Sequence, residues 1–460
     1  MEGLEIKEKK LYEVLSNKDF RIDSSFYTKE PKKNPDLIYA KIGEHLISSQ
    51  YGISIEMNTD SVGYPIYRMN EIHDMLCDLD VDKCADITQA EYDRFALKDR
   101  DVLFNRTNSF EWVGRTGIYY QNDDIQRTFA SYLVRLNPKD SILPEYLCAY
   151  LNCKYGEWDV KRRARQSINQ TNVNPEEVKE IEIPILDIDL QQKIRCCFTQ
   201  ANSLRILSQK TYSEAELISH NELGINSIAV TDVNVSQKRF SDFINSGRLD
   251  AEYYQPKYDD LFSRLSKFET KRLGDIVQIR KSIEPGSEAY QNQGIPFIRV
   301  SNLSKFGFSD TEIHLSPDEY GDVIRPKQNT ILLSKDGSVG IAYKVEQDMD
   351  VITSGAILHL TITDNEFMPD YLTLVLNSVI VGMQAERDAG GSIIQHWKPS
   401  EIENVIIPKL SQEIQQEITN KVKESFALRR ESKRLLDLAK TAVETAIEQG
   451  ENAALRLLDR

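Results

Sequence analysis

Cysteine is scarce in this chain. Six occur among 460 residues, at positions 77, 84, 148, 153, 196 and 197, and no two form a C-x-x-C pair. Their spacings do not build a disulfide framework, and reduced, structural thiols are expected. The six histidines (45, 73, 220, 314, 359 and 396) never fall at metal-ligand spacing, so no metal site is expected. No window approaches the roughly 20 apolar residues that a membrane helix needs. Met1–Lys10 lacks the apolar core of a secretory signal, so a cytoplasmic location without membrane contact is expected.

Positive charge is also in short supply. The chain has 57 Lys and Arg against 72 Asp and Glu, a net charge of −15. This speaks against a protein coated in basic surface for nucleic acid, but it leaves room for one localised basic face.

Catalytic signatures are missing too. There is no G-x-x-x-x-G-K-[ST], no G-x-G-x-x-G at a strand-to-helix turn, no G-x-S-x-G elbow and no Asp/Asn-Pro-Pro-Tyr stretch. Pro317-Asp318-Glu319 and Pro369-Asp370 are not followed by an acidic-x-Lys element, and Pro369 suits a helix start. No catalytic residue is expected.

What the chain does have is a repeat. Arg21-Ile22-Asp23 with Phe26-Tyr27 matches Arg248-Leu249-Asp250 with Tyr253-Tyr254. Pro65-Ile-Tyr-Arg68 matches Pro296-Phe-Ile-Arg299, and Leu143-Pro-Glu-Tyr-Leu147 matches Met368-Pro-Asp-Tyr-Leu372. The offset between matches stays within 223 and 231 residues. Each half reads as a strand-rich part, a short helix after its Leu-Pro or Met-Pro turn, and a long closing helix.

The first long helix is predicted over 189–220, capped by Asp189 with Gln192 completing a capping box. Leu190, Ile194, Cys197, Ala201, Leu204 and Ser208 give it a 3-4 spacing. The second is predicted over 411–449, with seven basic and seven acidic residues. At about 1.5 Å per residue these are rods roughly 50–60 Å long, suited to pairing antiparallel.

Two kinds of loop carry the binding signal. Lys161, Arg162, Arg163 and Arg165 precede Gln166, Asn169 and Gln170 with no intervening acid, and the later counterpart holds Gln395, His396, Trp397 and Lys398. A second loop sets Asn105-Arg106-Thr107-Asn108-Ser109 against Ser334-Lys335-Asp336-Gly337-Ser338, with Asn105, Arg106, Asn108, Ser334, Lys335 and Ser338 as the candidates. Arg and Lys supply phosphate contacts, and Asn and Gln can pair with adenine edges. A solvated helix end and a plain hairpin turn are the alternatives.

At Arg248–Tyr254, Pro296–Asn302, Ile331–Gly340 and Gly390–Pro408 with its following helix, the chain resembles the specificity (S) subunit of a type I restriction–modification system. The resemblance implies an α+β chain with two tandem β-rich target-recognition domains. Each is followed by a long helix, and the two helices pair as an antiparallel coiled coil. It divides the sequence into a first recognition domain (1–186), a first spacer helix (187–222) and a linker (223–247). A second recognition domain (248–410), a second spacer helix (411–449) and a C-terminal tail (450–460) follow.

It further implies recognition of a split double-stranded DNA site, with the residues above as contacts. Methyltransferase subunits would dock on the spacer helices, and restriction subunits would join through the complex. S-adenosylmethionine, ATP and Mg would belong to those partners, with no cofactor in this chain. The recognition subunit of a bipartite type II system and a non-DNA protein scaffold remain open beside it.

Overall fold

The computed structural model describes residues 8–16, 20–28, 33–167, 170–224, 235–390 and 395–459. They gather into two units, Met1–Ile206 with Leu428–Arg460, and Leu207–Ala427. Residues 225–234 of the expected linker, residues 391–394 of the loop before His396, and Asn169 lie outside the described residues. Among the described residues no helix is long and apolar enough to cross a membrane.

The first unit is built on a six-stranded sheet. Its order is Leu46–Tyr51, Leu133–Pro138, Asp101–Asn105, Thr116–Tyr119, Leu76–Cys77, Ile72–His73. The run Asp-Val-Leu-Phe-Asn at 101–105 is apolar without alternation because both faces of its strand are covered. Val102 and Phe104 enter the core beneath the helix Pro144–Asn152, and Leu103 enters a second cluster with Tyr67 and Phe129. A smaller sheet places Tyr64–Tyr67 between Thr128–Phe129 and Cys84–Ala85. Tyr39–Lys41 pairs with Glu182–Pro184.

The second unit repeats this wiring. Val277–Lys281, Ile357–Ile362, Ile331–Ser334 and Ala342–Lys344 form its main sheet, and Ile295–Ile298 lies between His314–Leu315 and Ile352–Thr353. Thr270–Arg272 pairs with Ile406–Pro408. Even the single parallel bridge Ile53–Ala130 recurs as Ile283–Ser354.

The repeated residues explain themselves as internal bonds. The Tyr146 hydroxyl donates to the Pro184 carbonyl at 2.5 Å and Tyr371 to Pro408 at 2.8 Å. The Asn152 amide donates to Thr116 and Asn377 to Ala342, at 2.9 and 2.8 Å. Arg21 pairs with Asp23 and reaches the Arg163 carbonyl, while Arg248 pairs with Asp250 and reaches that of Asp388.

The long helices span Ile188–Glu222 and Gln412–Gln449. The first begins before its predicted cap, because the Asp187 carboxylate accepts the Asp189 N–H at 2.8 Å and does the capping instead. In the first unit Leu190, Ile194, Ala201, Ala439, Ala442 and Ala446 share one core. There the Ser432 hydroxyl donates to the Ala201 carbonyl at 2.7 Å. In the second unit Ser208 and Ser425 each donate to the other's carbonyl, at 2.9 and 2.7 Å, and Lys421 pairs with Glu214. Those pairings run antiparallel.

Most of the stretch expected as a C-terminal tail is helical. Gly450, at φ +84°, lets the chain turn into a helix, Glu451–Leu458, which buries Ala454 in the first unit's core. Cys77, Cys84, Cys148, Cys153 and Cys197 are buried and Cys196 is exposed.

His359 lies within the second main sheet, bonded to the Thr353 hydroxyl at 2.8 Å, and burial pushes its imidazole down to about 4. An unfolded histidine titrates near 6.5. Between those values the unfolded chain binds a proton that the folded chain refuses, so this contribution is complete above about pH 6.5 and is lost as pH falls toward 4. The full effect is on the order of 3 kcal/mol. From pH 7.5 to 5.0, His359→Gln is expected to lose less stability in urea unfolding than the native chain. Parallel losses would show that His359 is not the group responsible.

Candidate nucleic-acid interface

Each unit brings its two polar stretches together at one end of the main sheet. In the first, strand Thr107–Asn108 pairs with Thr171–Asn172, which pairs with Arg165–Gln166. The Arg106 carbonyl accepts the Val173 N–H at 2.9 Å, and the Lys335 carbonyl accepts the Trp397 N–H at 2.8 Å in the second. Asp336 and His396 form a bridge there in the places of Thr107 and Asn172. The stretches that follow are fixed by burying Val173 or Trp397 completely, and by a helix that opens on Pro175 or Pro399. Four sequence stretches thus make two sites, one per unit.

In the first site the Arg106 guanidinium lies 5.1 Å from the centre of the Tyr51 ring and donates to the Ser131 carbonyl. Tyr51 and Tyr132 are exposed beside it. The Thr107 hydroxyl donates to the Asn172 side-chain oxygen at 2.6 Å, and Asn108 is half-buried. Arg165, Gln166 and Gln170 are exposed.

Several predicted contact residues have internal work instead. Arg163 is buried, its guanidinium bonded to Asp159 at 3.2 Å and Glu177 at 3.0 Å. Arg162 pairs with the same Asp159 and reaches the Phe26 carbonyl at 2.7 Å. Lys161 binds the carbonyls of Phe110 and Glu111. Asn105 is buried, and its amide has no hydrogen-bond partner among the described residues. Ser334 is buried, donating to the Ser338 carbonyl at 2.6 Å and accepting the Ile341 N–H at 2.8 Å. The Trp397 indole, read in sequence as part of a polar mixture, fills the core. Burying an arginine is tolerable only when its charge is matched, which is why Asp159 and Glu177 sit there.

In the second site one Asp336 oxygen accepts from His396 Nδ1 at 2.8 Å and the other pairs with the Lys335 ammonium. Burial pushes the Asp336 carboxyl up, but the bonds from Lys335 and His396 outweigh this and hold it below the ordinary carboxylate value. Ser338, Gln395, His396 and Lys398 are exposed. Thr107, Asn172 and Asp336 lie within the stretches singled out in sequence without being named as candidates, and Tyr51 and Tyr132 lie outside them. The alignment of the two loops in sequence already sets Thr107 against Asp336, and the fold adds the match of Asn172 with His396. Among the described residues no cluster of His, Cys, Asp and Glu is placed to hold a metal ion.

Residues 266–434 match the family model of the type I restriction modification DNA specificity domain. The chain is similar to specificity subunits of type I restriction–modification systems. The putative type I restriction enzyme MjaX specificity subunit of Methanocaldococcus jannaschii is 29% identical over 145 residues, 31% of this chain and 34% of that protein. The type I restriction enzyme EcoKI specificity subunit of Escherichia coli is 23% identical over 144 residues, 31% of each. The matched stretches span about a third of those relatives.

Among solved structures, a type I restriction–modification S subunit from M. genitalium aligns over 94% of this chain and 97% of its own. That alignment has a TM-score of 0.34 and 13% identity. The HsdS subunit from Thermoanaerobacter tengcongensis aligns over 91% and 98%, with a TM-score of 0.29 and 13% identity.

Removing Arg163 strands Glu177 in the core, so Arg163→Ala is expected to cost about 3–5 kcal/mol in denaturant unfolding. Arg165→Ala, at an exposed position, is expected to stay within about 0.5 kcal/mol of the native chain. Equal effects would show that the basic run is uniformly solvated.

Proposed function

We propose that this chain is the DNA-reading specificity subunit of a type I restriction–modification complex. Each unit reads one part of a split double-stranded DNA site, and the chemistry is left to partner subunits. The long helices, paired as an antiparallel coiled coil, are the spacer and the docking surface for methyltransferase subunits. S-adenosylmethionine, ATP and Mg belong to the partners.

One observation carries this reading: the same end of the main sheet holds a cation and a cross-strand polar pair in both units, on scaffolds that repeat several internal bonds. Where two copies of a fold repeat internal bonds and carry different polar groups at one corresponding place, that place suits a ligand with two similar but unequal parts. DNA meets this description, since phosphates are constant and base edges vary. The net charge of −15 is no obstacle, because the cations required are local.

Arg106, Asn108, Arg165, Gln166 and Gln170 are the proposed contacts in the first unit, and Lys335, Ser338, Gln395, His396 and Lys398 in the second. Lys161 holds the rim of the first site by its carbonyl bonds.

Selection from random duplex DNA, with the chain co-expressed with a methyltransferase partner encoded beside it, is expected to return two short motifs separated by a fixed unread gap. Arg106→Ala or Lys335→Ala is expected to weaken selection of one motif and leave the other. A contiguous motif would mean that one unit does not read DNA. No enrichment by a properly formed complex would favour a protein scaffold.

A further inference from the structure

The repeat singles out one residue whose chemistry does not suit phosphate. Most proposed contacts are cations, amides or hydroxyls, any of which can face a DNA backbone. Asp336 cannot, since a carboxylate brought against a polyanion is repelled. Yet it lies at the centre of the second site, its side chain 24% exposed, fixed between Lys335 and His396. Its counterpart in the first unit is Thr107, which occupies the same place opposite Asn172.

A carboxylate has about four lone-pair positions on its two oxygens. The bond from His396 uses one on Oδ1 and the pairing with Lys335 uses one on Oδ2. Each oxygen keeps acceptor capacity, and it can serve only a hydrogen-bond donor. In the major groove the base-edge donors are the exocyclic amino groups, N4 of cytosine and N6 of adenine. Adenine places the N7 acceptor beside N6, where it repels the second carboxylate oxygen. Cytosine has no acceptor next to N4 on its major-groove edge.

Resting on the reading that this unit contacts DNA, we propose that Asp336 is a specificity-determining residue that accepts a hydrogen bond from cytosine N4 in the second half-site. In the same place of the first unit the buried Thr107 hydroxyl holds the Asn172 side-chain oxygen, so the half-buried Asn172 offers an amide in place of a carboxylate and therefore selects a different base. The two half-sites differ at corresponding positions because this cross-strand pair differs.

The test compares random-duplex selection by complexes of the native chain with those of Asp336→Asn, Asp336→Ala and Thr107→Ala. Thermal melts establish that each variant chain folds. The native chain is expected to fix a G·C pair at one position of one half-site. Asp336→Asn, whose amide can pair with both N6 and N7 of adenine, is expected to admit A·T there. Asp336→Ala is expected to lose roughly 5- to 150-fold of discrimination at that position alone. Thr107→Ala is expected to alter only the other half-site.

An unchanged motif in both Asp336 variants would overturn the inference while leaving the DNA-reading function standing. So would a responding position that is A·T for the native chain, or loss of the whole half-site without a change at one base. Absence of any split motif for the native complex would overturn the function itself, and the inference with it.

Discussion

Everything at the two candidate interfaces depends on a single backbone hydrogen bond made twice. The carbonyl of Arg106 or Lys335 accepts the N–H of Val173 or Trp397, which lies about 60 residues further along. Closing a loop of that length costs conformational entropy, and the cost is met by burying the side chain next to the bond. Val173 or Trp397 disappears into the core, and its immediate neighbour, Asn172 or His396, is left facing outward beside the residue after the cation. An inward side chain thus positions an outward one.

The same economy runs through the rest of the repeat. What the halves share is what holds them: tyrosine to proline carbonyl, asparagine to strand, arginine to its own aspartate and a distant carbonyl. What they do not share includes the strand number of the main sheet, six against four, and the polar groups at one sheet end. There the connection after the central strand also differs, nine residues (106–114) in the first unit and six (335–340) in the second. Scaffold and variable surface are separated by residue.

The duplication, both long helices and the placing of strands between Gly, Asn and Pro were legible in the sequence, because each leaves a pattern within a short window. The partners of charged residues were not. Nothing in the run from Lys161 to Arg165 announces that Arg163 finds Glu177, 14 residues later and past a turn. A helix end dense in cations reads as a surface until its acids are located in space. Trp397 misled for a related reason: in a row of polar residues it looks like a binding group, but strand alternation turns it inward. The capping of the first long helix was misplaced by two residues, since Asp187 and Asp189 are chemically equal and only the chain's entry angle chooses between them.

One plain feature of the cysteines has a practical side. All six lie before residue 206, in the first unit, and only Cys196 is exposed. Burial holds the others out of reach and pushes the thiols of Cys77, Cys148, Cys153 and Cys197 up, that of Cys153 to about 12 and that of Cys197 to about 11, so those four hold little reactive thiolate at neutral pH. The folded chain therefore offers a thiol reagent one point of attachment on the first long helix. Further labelling counts the opening of the first unit alone, and the second unit, having no thiol, is invisible to it. The chain carries a gauge that separates the health of one half from that of the other.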